Sequence, residues 1–120
     1  QGALGLKSTA ADLLRFLQIL MGVRPHPLTP LLQTLDDLSV ETGMRNHTFA
    51  ALGWHLIRVK GRFRVWALSG ATGGHRAYLA CVPQTRTGVL AFANAPHGLD
   101  GLGFLTLRLL NHGWRKKALR

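Results

Sequence analysis

Acidic residues are scarce in this sequence. Five Asp and Glu stand against 15 Lys and Arg, a net charge of +10 with the histidines neutral. Two explanations compete: a surface that meets nucleic acid or another anionic partner, or a piece of a larger protein whose acidic residues lie elsewhere. The basic residues are scattered, with Arg58, Lys60, Arg62 and Arg64 along one hairpin and Arg115-Lys116-Lys117 in a tail. No aromatic platform accompanies them and no nucleic-acid motif contains them, so specific nucleic-acid recognition is not expected.

Cysteine is nearly missing. Cys81 alone can form no internal disulfide, and its apolar neighbours predict a buried, inert thiol. No apolar run approaches the ~20 residues of a membrane span, and the first residues lack a charged-then-apolar signal pattern. The six histidines (His26, His47, His55, His75, His97, His112) never stand at His-x-x-x-His or similar spacing, which argues against a zinc site. No residue pattern implies a cofactor, and neither an internal repeat nor a low-complexity segment is present.

What is there fits a single folded domain. A chain of 120 residues with 47 % apolar content is long enough to bury a core and too apolar for disorder. Ser8 or Thr9 is a good helix N-cap, and Asp12 suits the first turn. From there to Met21 the polar residues Asp12, Arg15 and Gln18 form one thin stripe, so this helix is expected to be buried on most sides, with Gly22 as its stop. After the rigid Arg24-Pro25-His26-Pro27, Thr29-Pro30 reads as N-cap and first helical residue of a short helix through Leu35. Residues 36–50 show no clear period and are expected to be loop; they hold most of the acidic residues, available to answer the basic hairpin.

Leu52–Val59 and Phe63–Ser69 are predicted strands joined by the tight-turn signal Lys60-Gly61. Arg76–Val82 and Thr87–Ala93 form a second pair across Pro83-Gln84-Thr85-Arg86. Their apolar runs do not alternate, which implies cover on both faces. Asp100–Asn111 reads as a final helix capped by Gly113. The order gives an α+β fold, one antiparallel sheet flanked by helices on both faces.

The chain is organised around Ser69-Gly70-Ala71-Thr72-Gly73-Gly74, which follows one strand and leads at once into another. Residues this small let backbone or a ligand approach, and they can hold N–H groups and a hydroxyl at a cleft edge. Without context such a run is more often a tight turn than a site. Here context exists. With Tyr78-Leu79-Ala80 and Val82-Pro83, the run resembles the Lys-Thr-Gly segment and following strand of class C β-lactamases, penicillin-binding DD-peptidases and related serine esterases. Gly5-Leu6-Lys7-Ser8-Thr9-Ala10-Ala11-Asp12-Leu13 resembles the loop and helix start that precede this region, and Leu52-Gly53-Trp54 the Gly-Leu-Gly-Trp that opens the family's strand pair.

The resemblance implies the β-lactamase/transpeptidase-like fold, with residues 1–120 as the C-terminal segment of one such domain. It implies a small-molecule or peptide substrate for the complete domain, no metal, and a periplasmic or secreted bacterial setting. It also implies site roles. Ala71 matches the oxyanion-hole N–H, and Ser69 the hydroxyl that hydrogen-bonds substrate. Gly70, Thr72 and Gly73 match positions along which substrate lies. Leu68 departs from the pattern, standing where the family has Lys or, in many esterase-like members, His. His75 stands where Phe is usual, with packing its expected role, and Trp54 and Trp66 are expected in the core and the cleft wall.

The family's nucleophile is missing. Ser8 is followed three residues on by Ala11, Ser39 by Thr42 and Ser69 by Thr72, so no Ser-x-x-Lys occurs, and Tyr78-Leu79-Ala80 is not a Tyr-x-Asn. The isolated chain is therefore expected to be inactive. β-Lactamase, esterase, peptidase and degenerate family member stay open, as does a non-catalytic basic binding module on the same fold.

Overall fold

The computed structural model describes residues 7–43, 48–59 and 63–111. Helix α1 (Ala10–Leu20) starts at Thr9, whose side chain accepts the Asp12 N–H at 3.1 Å, and ends at Gly22 with φ 77°. Only Leu17 and Leu20 are buried along it, and Leu14 remains 44 % exposed. The expected burial on most sides is thus not seen: among the described residues α1 has one covered stripe.

Helix α2 (Leu31–Asp37) begins one residue later and ends two residues later than expected. Pro30 occupies the N-cap and no side chain caps it, because the Thr29 hydroxyl turns back to the Arg24 carbonyl instead. Residues 36–50 are not all loop. They complete α2 and then form β1 (Val40–Glu41) and β2 (Thr48–Ala51), strands too short to display a period.

The sheet continues through β3 (Trp54–Val59), β4 (Phe63–Thr72), β5 (His75–Val82) and β6 (Thr87–Ala93). All six strands are antiparallel in chain order. Leu52-Gly53 is a turn rather than the start of β3. Both residues take positive φ (47° and 94°), as the favoured two-residue hairpin turn demands. Strand β4 runs three residues beyond the expected Ser69, since Gly70, Ala71 and Thr72 still pair with Ala77, Arg76 and His75. The Lys60-Gly61 turn signal and Arg62, the Gly113 cap, the 115–117 tail, His47, His112 and Gly5-Leu6 lie outside the described residues.

Side chains alternate across a strand, and two apolar clusters follow that alternation. Leu56, Trp66, Leu79 and Cys81 gather with Leu17 and Leu20 of α1 and Leu32 and Leu35 of α2. Trp54 joins them, edge-on to Trp66 at 6.4 Å between ring centres. Both tryptophans are core residues. Val65, Ala67, Tyr78, Ala80 and Val82 gather instead with Leu107 of helix α3 (Asp100–Leu110).

Three polar features fix the layout. Asp36, at the end of α2, ion-pairs with Arg58 (3.0 Å) and Arg64 (2.6 Å), which stand directly opposite each other on β3 and β4. The acidic segment does answer the basic hairpin. Arg58 also lies 4.1 Å over the Phe49 ring. At the far end of α3, the Asn111 amide donates to Thr87 Oγ1 and to the Leu107 carbonyl, both at 2.8 Å, and accepts from the Thr85 hydroxyl in the β5–β6 loop. Cys81 is buried, and burial pushes its thiol up to about 12.

Candidate functional site

The Ser69–Gly74 stretch becomes the end of β4 and a two-residue turn. Gly74 supplies the positive φ (75°) that closes the turn between Thr72 and His75. Hydrogen-bonded and non-bonded pairs alternate along an antiparallel ladder. With Thr72–His75 as the closing bonded pair, Gly70–Ala77 is the next. Ser69 and Ala71, opposite Tyr78 and Arg76, then turn their N–H and C=O groups away from β5. On that outer side β3 pairs with β4 only as far as Ala67. From Leu68 to Thr72 the edge of β4 meets no strand among the described residues.

The side chains divide by parity. Ser69 is exposed, on the side of Ala67 and Tyr78. Leu68 points the other way, half-buried against the Trp66 and Leu79 cluster. Gly70, Ala71, Thr72 and Gly73 are exposed. A Cβ added at Gly70 or Gly73 would meet open space, so no described backbone approaches them, contrary to one use expected of their smallness.

Cavities adjoin this edge on both sides. One of about 630 Å³ lies by Gly70, Thr72, His75, Ala77, Phe92 and Asn94. His75 is exposed there, its Nδ1 3.1 Å from the Gly73 carbonyl oxygen, so it is not the packing residue expected. A second, about 210 Å³, is lined by Ser69, Ala71, Arg76, Gly98, Leu99 and Asp100. A third, about 230 Å³, lies between β4, β5 and α3 and includes Ser69, Tyr78, Asp100, His55, Ile57 and Phe104.

A family model for Beta-lactamase matches residues 1–111. The chain belongs to the Beta-lactamase family. Neither a curated protein nor a solved structure matches it.

Within this β-lactamase-related chain, the structure brings Ser69, Gly70, Ala71 and Thr72 to one open strand edge and puts Gly73 in the adjoining turn. One cavity beside Ser69 also takes in Asp100 and Tyr78, which sequence reasoning assigns only to the start of the last helix and to the strand after the small-residue run. Asp100 opens α3 and lines both cavities that contain Ser69. Tyr78 is buried, and its phenol is pushed up to about 12, first by burial and then by the Asp100 carboxylate. The available signal was that Asp100 is the one acidic residue after Glu41. Among the described residues no group of three or more His, Cys, Asp or Glu could hold a metal ion.

Proposed function

We propose that this chain supplies the oxyanion-side strand of a serine acyl hydrolase of the class C β-lactamase, DD-peptidase or esterase kind. Its substrate would be a β-lactam, a D-Ala peptide or an ester. No Ser-x-x-Lys occurs in the 120 residues, so the nucleophile comes from sequence outside them. The complete domain has helices on both faces of the sheet, a layout supported by the separate clusters of α1 with α2 and of α3.

The observation that carries the proposal is the open edge of β4, where Ser69 and Ala71 turn their N–H groups outward beside cavities. Attack of a serine hydroxyl on the substrate carbonyl places negative charge on its oxygen. The Ala71 N–H takes that charge, a donor of a kind worth 10²–10³ in rate. Collapse of the intermediate breaks the C–N or C–O bond, the departing nitrogen or oxygen takes up the proton lost by the serine, and an acyl-enzyme remains that water hydrolyses; a β-lactam amine stays tethered through the opened ring. The Ser69 hydroxyl hydrogen-bonds substrate, while Gly70, Thr72 and Gly73 leave room for it to lie along the strand. Leu68 offers no cation for a substrate carboxylate.

Two measurements test this. The isolated chain should turn over neither a chromogenic cephalosporin nor a p-nitrophenyl ester above background. In a parent protein that carries Ser-x-x-Lys, Leu68→Lys should shift kcat/KM toward a carboxylate-bearing substrate over a neutral one. Turnover by the isolated chain that Ser69→Ala abolishes overturns the proposal, and so does an unchanged ratio in a folded Leu68→Lys protein.

The second reading is a non-catalytic basic binding module, favoured by the +10 charge and by Leu68. Sub-micromolar duplex DNA binding at physiological salt would support it. Weak binding lost at moderate salt would not.

A further inference from the structure

The cavity of about 230 Å³ under α3 holds an arrangement that acyl transfer does not explain. Tyr78 is 4 % exposed, yet no described residue hydrogen-bonds its hydroxyl. The hydroxyl is not sealed in the core but open to the cavity, where a tyrosine's polar end can meet a partner from outside the chain. The Tyr78 ring lies against Gly103, and Asp100 sits one helical turn earlier on α3. Both residues line the cavity, together with Ser69. Ile57, Ala67 and Phe104 give the rest of the wall an apolar character, with His55 at its side.

We propose that this cavity is a cation subsite, which takes the protonated amine of a small ligand or substrate that has an apolar body. An ammonium group has three donors and no acceptor. Asp100 supplies the counter-charge and one acceptor; the Ser69 and Tyr78 oxygens supply the other two. The apolar body lies against Ile57 and Ala67. Arg76 shares the neighbouring cavity with Asp100, but among the described residues the two form no ion pair, and the guanidinium donates instead to the Thr72 and His75 carbonyls (3.3 and 3.0 Å), toward the turn. With Asp100 as its charge, the site favours amines over carboxylates. The inference rests on the proposed hydrolase only through Ser69.

The test is binding, without turnover. The ¹⁵N-labelled 120-residue chain is titrated with benzylammonium, benzyl alcohol and benzoate. Benzylammonium should shift the amide signals of Ser69, Tyr78 and Asp100, and bind about tenfold more tightly than either other probe. Asp100→Asn should abolish that preference. Tyr78→Phe should weaken benzylammonium several-fold while leaving benzyl alcohol nearly unchanged, and it serves as the decisive variant if Asp100→Asn does not fold. Equal or tighter binding of benzoate overturns the inference. So do shifts confined to the Phe92–Asn94 side, or a preference that survives Asp100→Asn in a protein with unaltered melting. Because no probe is a substrate, a negative result leaves the hydrolase proposal standing, and absence of hydrolysis leaves this one standing.

Discussion

Gly103 of α3 stands so close to the ring of Tyr78 on β5 that a Cβ at position 103 would overlap the ring. Of the two glycines in α3, Gly101 meets open space and Gly103 is the one that docks on the sheet. Gly103→Ala should therefore destabilise the protein by about 1–3 kcal/mol through overpacking, outweighing the ~0.5–1 kcal/mol that alanine brings to a helix interior. In a Tyr78→Ala background the same substitution should be neutral or stabilising. Chemical denaturation of the two single variants and the double variant measures the coupling.

Asp36 holds together two like charges. Arg58 and Arg64 face each other across β3 and β4, and directly opposed like charges destabilise a sheet. With half-exposed arginines, Asp36→Ala should cost about 1–3 kcal/mol, and the gap from wild type should narrow in high salt. Placing Asp36→Ala in an Arg64→Gln background should shrink the loss. Melting temperatures at low and high salt suffice.

Leu52 is a leucine in the left-handed region, with φ 47° and 77 % of its surface exposed. It touches little and is strained. Leu52→Asn creates the Asn-Gly pair preferred in this turn and should stabilise the protein by about 0.5–2 kcal/mol. An unchanged or lower melting temperature would count against the turn geometry.

Alkaline pH should lower the stability of the chain as two buried groups titrate. Cys81 is raised from 9.0 to about 12 and Tyr78 from 10.0 to about 12, so the native state holds both protons more tightly than the unfolded chain. Their contribution to stability is complete below pH 9 and is lost as pH rises toward 12. Cys81→Ala should delay the onset of that loss, and Tyr78→Phe should flatten its upper part. Stability measured by urea midpoint from pH 8 to 11 checks both.

Long periodic elements were legible from the residues. The apolar runs of β5 and β6 and the capped start of α1 appear where Ala77–Val82, Val89–Ala93 and Thr9 predict them. What escaped was short or non-local. Strands β1 and β2 have two and four residues, below the length at which alternation can be seen. Leu52-Gly53 looked like strand because leucine rarely accepts positive φ, and the hairpin overrides that preference. That Ser69–Thr72 share one strand edge follows from their order in the chain. The place of Asp100 does not, because only the packing of α3 on Tyr78 carries it to Ser69.

Asn111 ties the last turn of α3 to Thr85 and Thr87 at the far end of the β5–β6 loop. The helix end cannot fray without breaking the bonds that hold the loop, and the loop cannot open without releasing the helix. These two segments, about 25 residues apart in sequence, should therefore exchange amide hydrogens as one cooperative unit, with a single opening free energy where independent ends would each have their own.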